Sequence, residues 1–285
     1  MKTIDTLVSD ILDILENGLD EIQEDKLVEF EKQFSGSLNR QLVQKYQGGT
    51  LRMSNIGSPC QRKLWYQVND YDNPLKEKLT GDTKIKFLYG DLTEEMVLFL
   101  ADLAGHTVEA RQSEVELNGV KGHIDAIIDG WLVDVKSASS YSFKKFKEGR
   151  LLDDDPFGYY TQIMSYLYCL QEDERLVEKD KAAFLVFDKQ LGHLCLDKHE
   201  KPVWFDTFPL SYDRRKETVN SKEVPERSFD PEPEGKSGNM KLGTFCSYCD
   251  FKRVCYPELR TFIYSRGPVF LTEVVKEPDV FEKVD

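Results

Sequence analysis

The sequence predicts an α/β or α+β core in which helices surround a mixed β-sheet, and three observations support this. A chain of 285 residues, 40% of them hydrophobic, is long enough to bury a large core. The dipeptide Asp129-Gly130 is a strong two-residue turn signal and lies between two short apolar runs, which predicts a β-hairpin. Helical patterns at 84–104 and 157–171 precede and follow this hairpin, so helices are expected on the faces of the sheet.

The first 50 residues are predicted to be helical. Apolar residues between positions 4 and 19 follow the 3.6-residue period, and a second amphipathic stretch covers 25–46, before Gly48-Gly49. The N-terminal stretch lacks the basic start and apolar core of a signal peptide, and no run of about 18 apolar residues occurs. We therefore expect a cytoplasmic protein without a membrane partner.

The remaining elements follow from local pattern and composition. Residues 221–243 are rich in Pro, Gly and Ser and are predicted to form a loop, and the acidic tail is expected to be loosely ordered. The predicted regions are a helical N-terminal region (1–50), a core (51–272) and the tail (273–285). The predicted strands are 113–118, 122–128, 132–138, 182–188, 193–197 and, less clearly, 203–208.

The charge of the chain is unevenly distributed. Its 38 basic and 51 acidic residues give a net charge of −13, which argues against a general polyanion binder. Basic residues nevertheless concentrate in 51–69, 136–150 and 241–255. A local basic track on an acidic body is compatible with nucleic-acid binding, and the alternative is chance clustering on solvated faces.

The hairpin sequence predicts a cluster of polar residues. If Asp129-Gly130 forms the loop, Asp125 lies opposite Asp134 and His123 lies opposite Lys136. The two-residue period places these four side chains on one face of the hairpin. A lone His in such a position is more often structural than functional.

The opposite face of the hairpin is predicted to be apolar and to include Ile124. On the polar face, the Cβ atoms of Asp125 and Asp134 would lie about 5 Å apart, and the two carboxylates would repel each other. A divalent cation such as Mg²⁺ or Mn²⁺ between them would compensate for this repulsion, and Lys136 could reach a metal-bound water or a phosphate oxygen. The alternative is an exposed sheet face with a ladder of salt bridges.

An acid on one strand followed by an acid-x-Lys triplet on the next resembles the PD-(D/E)xK nuclease superfamily. Asp125 matches the first acid and Asp134-Val135-Lys136 the triplet, although Ile124 replaces the usual proline. The resemblance implies a restriction-endonuclease-like α/β core and metal-dependent hydrolysis of DNA. It also implies that the two acids and the Val135 carbonyl bind Mg²⁺ or Mn²⁺, while Lys136 orients the attacking water.

One further feature resembles the RecB-like branch of this superfamily. That branch places a Glu or His four residues after a Gly on the helix before the sheet, and Glu94 follows Gly90 by four. The resemblance implies that Glu94 is a metal ligand, and the register favours it over the adjacent Glu95. Without the resemblance, Glu94 would be an ordinary acid on a helix surface.

The branch also carries a Tyr-x-x-Gln-x-x-x-Tyr helix, which Tyr159, Gln162 and Tyr166 match. Spacings of three and four place all three side chains on one helix face. The resemblance implies that Gln162 helps to position the strand in the site, while Tyr159 and Tyr166 bind substrate, a Tyr being able to stack on a base. The alternative is an aromatic core helix. Lys144 and Lys145, in a basic window, are expected to bind phosphates.

Six cysteines occur, and three of them form a Cys-x2-Cys-x5-Cys pattern within 246–255. Such tight spacing in a cytoplasmic protein indicates metal binding, and a fourth thiolate from a compact basic segment at position 60 would complete the set. Zn²⁺ and an iron–sulfur cluster are both compatible with four thiolates. Cys169 and Cys195 lie in apolar patterns and are predicted to be buried. The predicted ligands are Cys60, Cys246, Cys249 and Cys255.

This cysteine layout is similar to that of iron–sulfur RecB-like nucleases, among them the AddB nuclease domain and the CRISPR-associated adaptation exonuclease. The resemblance implies a 4Fe–4S cluster joining the N- and C-terminal segments, with Zn²⁺ as the alternative. It implies a phage-encoded exonuclease that acts on single-stranded DNA ends. Such an enzyme would serve recombination, replication or DNA processing, and it could have a partner protein from one of these pathways. Two other hypotheses are a non-catalytic DNA-binding or assembly protein and a hydrolase of small phosphorylated molecules.

Overall fold

The structure, a computed structural model, describes residues 2–43 and 48–283. In these ranges no helix is both long and apolar enough to cross a membrane. Single turns of 3-10 helix lie at Ile4–Thr6, Leu151–Asp153 and Phe205–Thr207. The α-helices are α1 (Leu7–Asn17), α2 (Glu24–Leu42), α3 (Met53–Ile56), α4 (Gln61–Asn69), α5 (Gly81–Leu103), α6 (Ser140–Lys147), α7 (Tyr159–Cys169), α8 (Phe208–Asn220), α9 (Thr244–Ser247) and α10 (Lys252–Cys255).

The strands form a central mixed sheet, a second sheet and a separate hairpin. The central sheet has β1 (Val108–Glu109), β4 (Ala126–Ile128), β5 (Trp131–Ala138), β6 (Lys181–Asp188) and β7 (Leu194–Glu200), in that order. The hairpin pairs β2 (Glu114–Leu117) with β3 (Val120–His123). The second sheet contains β8 (Glu232–Pro233), β9 (Met240–Lys241), β10 (Arg260–Tyr264), β11 (Gly267–Glu273) and β12 (Phe281–Lys283). In the central sheet only β5 and β6 pair in parallel.

Two buried apolar clusters cover the two faces of the central sheet. One joins Leu7 of α1 and Leu98 of α5 to Val133 of β5. The other joins Leu167 of α7 to Leu132 of β5. Neighbouring residues of β5 therefore enter different clusters, as expected of a strand with helices on both sides. The prediction of a mixed central sheet flanked by helices is confirmed.

The hairpin of β4 and β5 has the predicted register. Ile127 pairs with Leu132, which leaves Asp129-Gly130 as the two-residue loop. Both loop residues have left-handed backbone angles, φ 49° at Asp129 and φ 78° at Gly130. This conformation fits the right-handed twist of the strands and explains the Asp-Gly sequence.

The predicted strand 122–128 is broken, and this corrects two predictions. β3 ends at His123 and pairs with β2, where His123 lies opposite Glu114 rather than Lys136. Ile124 belongs to the α7-side cluster and not to the face predicted for it. The cause is that β3 pairs with β2 and not with a strand of the central sheet. Asp125 therefore lies in the break between β3 and β4.

Three other regions differ from the sequence predictions. The strand predicted at 203–208 is wrong, because a 3-10 turn leads into α8 there and buries Phe205 and Phe208, three positions apart. The tail predicted to be loosely ordered contributes β12, which pairs with β10. The predicted loop 221–243 contains β8 and β9. The predicted second helix ends at Leu42, and residues 44–47 of that prediction lie outside the described residues.

The two hairpin loops offer a matched test of the turn. Gly119 and Gly130 both have φ near 78°, but a Cβ added at Gly130 would lie 2.7 Å from the side chain of Val177. No described atom lies within 4 Å of the corresponding position at Gly119. We expect Gly119→Ala to cost about 1 kcal/mol of unfolding free energy, for backbone strain, and Gly130→Ala to cost about 1–3 kcal/mol more. Urea denaturation of both variants measures the difference in unfolding free energy. Equal losses for the two variants would contradict the close approach of Gly130 to Val177.

Candidate active site

The centre of the candidate site is Asp134 and Lys136 on β5. Asp134 is 3% exposed, and the Lys136 ammonium lies 2.5 Å from its Oδ2. Apart from this ion pair, the buried oxygen has no hydrogen-bond partner within the described part of the chain. Burial lowers the pKa of Lys136, but the carboxylates of Asp134 and Asp125 raise it overall, so the ammonium remains charged.

Asp125 lies beside this pair because the strand breaks at its position. Its Oδ2 accepts a hydrogen bond of 2.7 Å from the backbone N–H of Val135, which fixes the carboxylate against β5. Burial and the charge of Asp134 raise the pKa of Asp125 to about 7. The structure therefore brings Asp125, Asp134 and Lys136 together as the hairpin pattern predicted, while His123 points elsewhere.

Helix α5 supplies a third acid. It passes close to the end of β5 at Gly90, where an added Cβ would lie 3.5 Å from the hydroxyl of Ser137. One turn later, the pKa of Glu94 is well above its ordinary value because of burial and the charges of Asp125 and other nearby acids. Glu94 Oε1 accepts a hydrogen bond of 2.6 Å from the side-chain amide of Gln112.

The adjacent Glu95 faces a different set of partners. It is 1% exposed, accepts a hydrogen bond of 2.8 Å from the Ser37 hydroxyl and forms an ion pair with Arg111. Arg40 lies 3.6 Å away. Ser37 and Arg40 belong to α2, so this network ties the N-terminal region to α5. Because Glu95 is bound by these partners, Glu94 is the acid of the two that lies next to the hairpin of β4 and β5.

Gln112 is a site residue that sequence reasoning missed. It lies in the turn before β2, and both it and Ala110 have positive φ values, 51° and 55°. Non-glycine residues in this region are strained, and such strain is common at functional sites. No motif or periodicity marks position 112, because its contact with Glu94 depends on how the turn packs against α5.

Helix α7 places Tyr159 next to Lys136 and carries Gln162 and Tyr166 further along. The Lys136 ammonium lies 5.1 Å from the centre of the Tyr159 ring, and Gln162 donates a hydrogen bond of 3.1 Å to the Tyr166 hydroxyl. Tyr166 is 3% exposed and packs so closely against Gly122 that a Cβ there would lie 2.8 Å from its ring. Burial raises the pKa of Tyr166 to about 12. This burial does not support the predicted base-binding role of Tyr166, whose ring belongs to the core.

The two lysines predicted to bind phosphates lie on α6, which begins directly after β5. Lys145 forms an ion pair with Asp154 and lies 5.2 Å from the centre of the Tyr141 ring. The Lys144 side chain is 68% exposed and its ammonium is 3.7 Å from Glu148. Lys144 is therefore the more accessible of the two cations, and phosphate binding by either stays a prediction.

The four cysteines predicted to act together line one small cavity of about 30 Å³. Burial raises the pKa of Cys249 to about 12 and that of Cys246 to about 11, with the neighbouring thiols contributing. Cys169 and Cys195 lie elsewhere, partly buried against the α7-side cluster. The lining thiols are those of Cys60, Cys246, Cys249 and Cys255.

Contacts around this cavity hold α4 against the cysteine-bearing segment. The ring of Tyr66 stacks on that of Phe251, with ring centres 5.4 Å apart. The buried ammonium of Lys252 pairs with the Glu77 carboxylate. Early and late parts of the chain thus meet here, as the cysteine layout predicted.

Neither candidate metal site is fully assembled. Across residues 2–43 and 48–283, no three Cys, His, Asp or Glu side chains are close enough to bind one metal ion together. The donor atoms at each site are nevertheless of the kind that the expected metal binds. Three mutually repelling carboxylates, one with an unsatisfied oxygen, suit a hard divalent cation, and four thiols suit iron or zinc.

Comparison with known proteins places this geometry in context. The chain shares 15% identity with the solved structure of SSO0001, at a TM-score of 0.43, with 79% of this chain and 95% of that chain covered. It shares 13% identity with a phage-related exonuclease from Haemophilus somnus 129PT, at a TM-score of 0.41, with 61% and 92% covered. The comparison with curated proteins found no significant match.

A family model described as the PD-(D/E)XK nuclease superfamily matches residues 37–256. Because that match covers well over half of the sequence, the chain belongs to the PD-(D/E)XK nuclease superfamily.

Proposed function

We propose that the protein is an exonuclease that uses Mg²⁺ or Mn²⁺ to degrade single-stranded DNA from its ends. Superfamily membership implies metal-dependent nuclease activity on DNA. The observation that carries the proposal is the buried pair of Asp134 and Lys136 on β5, with Asp125 held against the same strand. Glu94 lies near enough for the charges of Asp125 and Asp134 to raise its pKa. The preference for single-stranded ends, and a role in phage recombination, replication or DNA processing, rest on the resemblance to RecB-like enzymes.

The three carboxylates and the Val135 carbonyl are the proposed ligands of one or two cations. Such a cation, when bound, lowers the pKa of a coordinated water and offsets the charge that develops on the phosphate. Lys136 supplies a permanent positive charge for the same phosphate, and Asp134 and the Tyr159 ring fix its position. Gln162, which donates a hydrogen bond to the Tyr166 hydroxyl, is the residue of α7 proposed to help position the strand.

Protons compete with a cation for the carboxylates of the site. Without metal, burial and mutual repulsion raise the pKa of Glu94 and raise that of Asp125 to about 7, so these acids hold protons more firmly than usual. A cation must displace these protons, so its affinity is expected to rise with pH.

We also propose that the four thiols of the cysteine cavity bind a 4Fe–4S cluster, with Zn²⁺ as the alternative. Four thiols at one cavity give the donor number that either group requires, and thiols stay reduced in the cytoplasm. The group would replace two protonated, buried thiols by thiolates bonded to metal. Its role would be structural, because it would join α4 to the segment that carries α9 and α10.

The proposed metal-dependent cleavage of DNA is tested by substitutions of Asp134 and Lys136 on β5. Asp134→Asn and Lys136→Ala should each lower the rate of DNA cleavage at least 100-fold, because they remove a metal ligand and the phosphate-neutralising charge. Binding of a single-stranded oligonucleotide should persist in both variants. Lys181→Ala, which removes a partly exposed lysine from the neighbouring strand β6, is the control and should cleave normally. An Asp134→Asn protein that cleaves at the wild-type rate would rule out the assignment.

The raised pKa of Asp125 predicts how stability depends on pH. An acid with a pKa of about 7 when folded and 3.8 otherwise holds its proton better in the folded state between these pH values. The metal-free protein should therefore lose stability as the pH rises from about 4 to about 7. Asp125→Asn removes this loss and should stabilise the metal-free protein at pH 8 by on the order of 2 kcal/mol, while abolishing cleavage.

Denaturant unfolding of the metal-free protein at several pH values measures this effect. Asp153→Asn, which changes an exposed acid, should follow the wild-type curve. Lower stability of Asp125→Asn than of wild type at pH 8 would contradict the proposed repulsion.

The cluster proposal is tested by colour and composition. Protein purified without oxygen should be brown and absorb near roughly 400 nm, as expected of thiolate-ligated iron. Cys60→Ala or Cys249→Ala should remove the colour and lower the melting temperature. Cys169→Ala should keep the colour, because that thiol lies outside the cavity. A colourless protein with one zinc ion per chain would decide for Zn²⁺.

A further inference from the structure

Three aromatic side chains form a row that leads from the protein surface to the catalytic lysine. Tyr248 is 74% exposed and Phe157 is 45% exposed. The ring centres of these two residues are 6.0 Å apart, and that of Phe157 is 5.5 Å from that of Tyr159. Tyr159 in turn contacts the ammonium of Lys136. Tyr248 and Phe157 form an exposed aromatic patch that continues into the half-buried Tyr159, and exposed aromatic patches mark interaction sites.

The turn that carries Phe157 is rigidly held. The carboxylate of Asp155 accepts hydrogen bonds of 2.9–3.0 Å from three successive backbone N–H groups, beginning with that of Gly158. Gly158 has φ 75° and lies so close to Gly57 that an added Cβ would be 2.7 Å from its carbonyl oxygen. The middle ring of the row is therefore pre-positioned, which lowers the entropy lost when a ligand binds.

The outer ring of the row comes from a different part of the chain. Tyr248 lies between Cys246 and Cys249, directly after α9, in the segment that lines the cysteine cavity. The row is complete only when this segment packs against the turn before α7. The cysteine cavity and the candidate active site are thereby linked along one surface.

We propose that Tyr248, Phe157 and Tyr159 form a platform on which the bases of a single DNA strand stack as the strand enters the active site. The proposal rests on the nuclease function proposed above and extends it. Aromatic rings accept any base, so the platform is independent of sequence. The ring planes are inclined by 32° between Phe157 and Tyr159 and by 67° between Phe157 and Tyr248, so a strand that stacks on all three rings must bend from one ring to the next. A single strand bends in this way at much lower cost than a duplex, which is stiff over this length.

The proposal is tested by removing rings one at a time. Phe157→Ala and Tyr248→Ala should each weaken binding of a fluorescently labelled oligothymidylate at least about fivefold, the usual effect of losing one base-stacking ring. Binding is measured without divalent cations to prevent cleavage. Duplex binding should change less. Tyr248→Phe keeps the ring and should bind like wild type. Phe281→Ala removes an equally exposed ring, 71% exposed on β12, and should have no effect.

Kinetics with Mn²⁺ provide a second measurement on the same proteins. For Tyr248→Ala we expect a higher KM for single-stranded DNA and an unchanged kcat, because the ring touches the strand and not the reacting phosphate. Wild-type affinity of Tyr248→Ala for the oligothymidylate would overturn the platform, and so would equal losses for single strands and duplexes. If the wild type cleaves no DNA but the alanine variants still lose single-strand affinity, the nuclease proposal fails and the platform stands.

Discussion

Repulsion among buried carboxylates is the constraint on which the rest of the structure depends. Glu94, Asp125 and Asp134 come from a helix, a strand break and a strand, and the positive charge of Lys136 acts on all three. Burial and like charge raise the pKa of Glu94 and of Asp125, so the metal-free site opposes folding. The free energy that holds these groups together must come from the packing around them, chiefly the two apolar clusters on either side of β5.

The surroundings of the site oppose this repulsion in specific ways. The Val135 N–H holds Asp125, and Gln112 holds Glu94 even though its own backbone is strained. The network around Glu95 gives α2 a role that its sequence does not reveal. Ser37 and Arg40 of this helix bind Glu95, and the adjacent Glu94 lies towards the hairpin. A divalent cation would complete the site by converting the repulsion into coordination.

Features governed by neighbouring residues were predictable from sequence, and features governed by distant pairing were not. The Asp129-Gly130 turn and the alternation along β5 are local, so the meeting of Asp125 and Asp134 could be derived. The break before Asp125 depends on the pairing of β3 with β2, which no pattern within that strand records. The second sheet was missed because several of its strands have two or three residues. Gln112 was missed because its contact with Glu94 is purely tertiary.

The junction between α4 and the cysteine segment sets an order of events during synthesis. Glu77 and Lys252, which pair across it, are 175 positions apart in the chain. A ribosome adding roughly 5–20 residues per second needs on the order of 10–35 s to make the second partner after the first. Strands β4 and β5 emerge well before Lys252. A growing chain can therefore form the hairpin of β4 and β5 long before the C-terminal segment arrives to fix α4 in place.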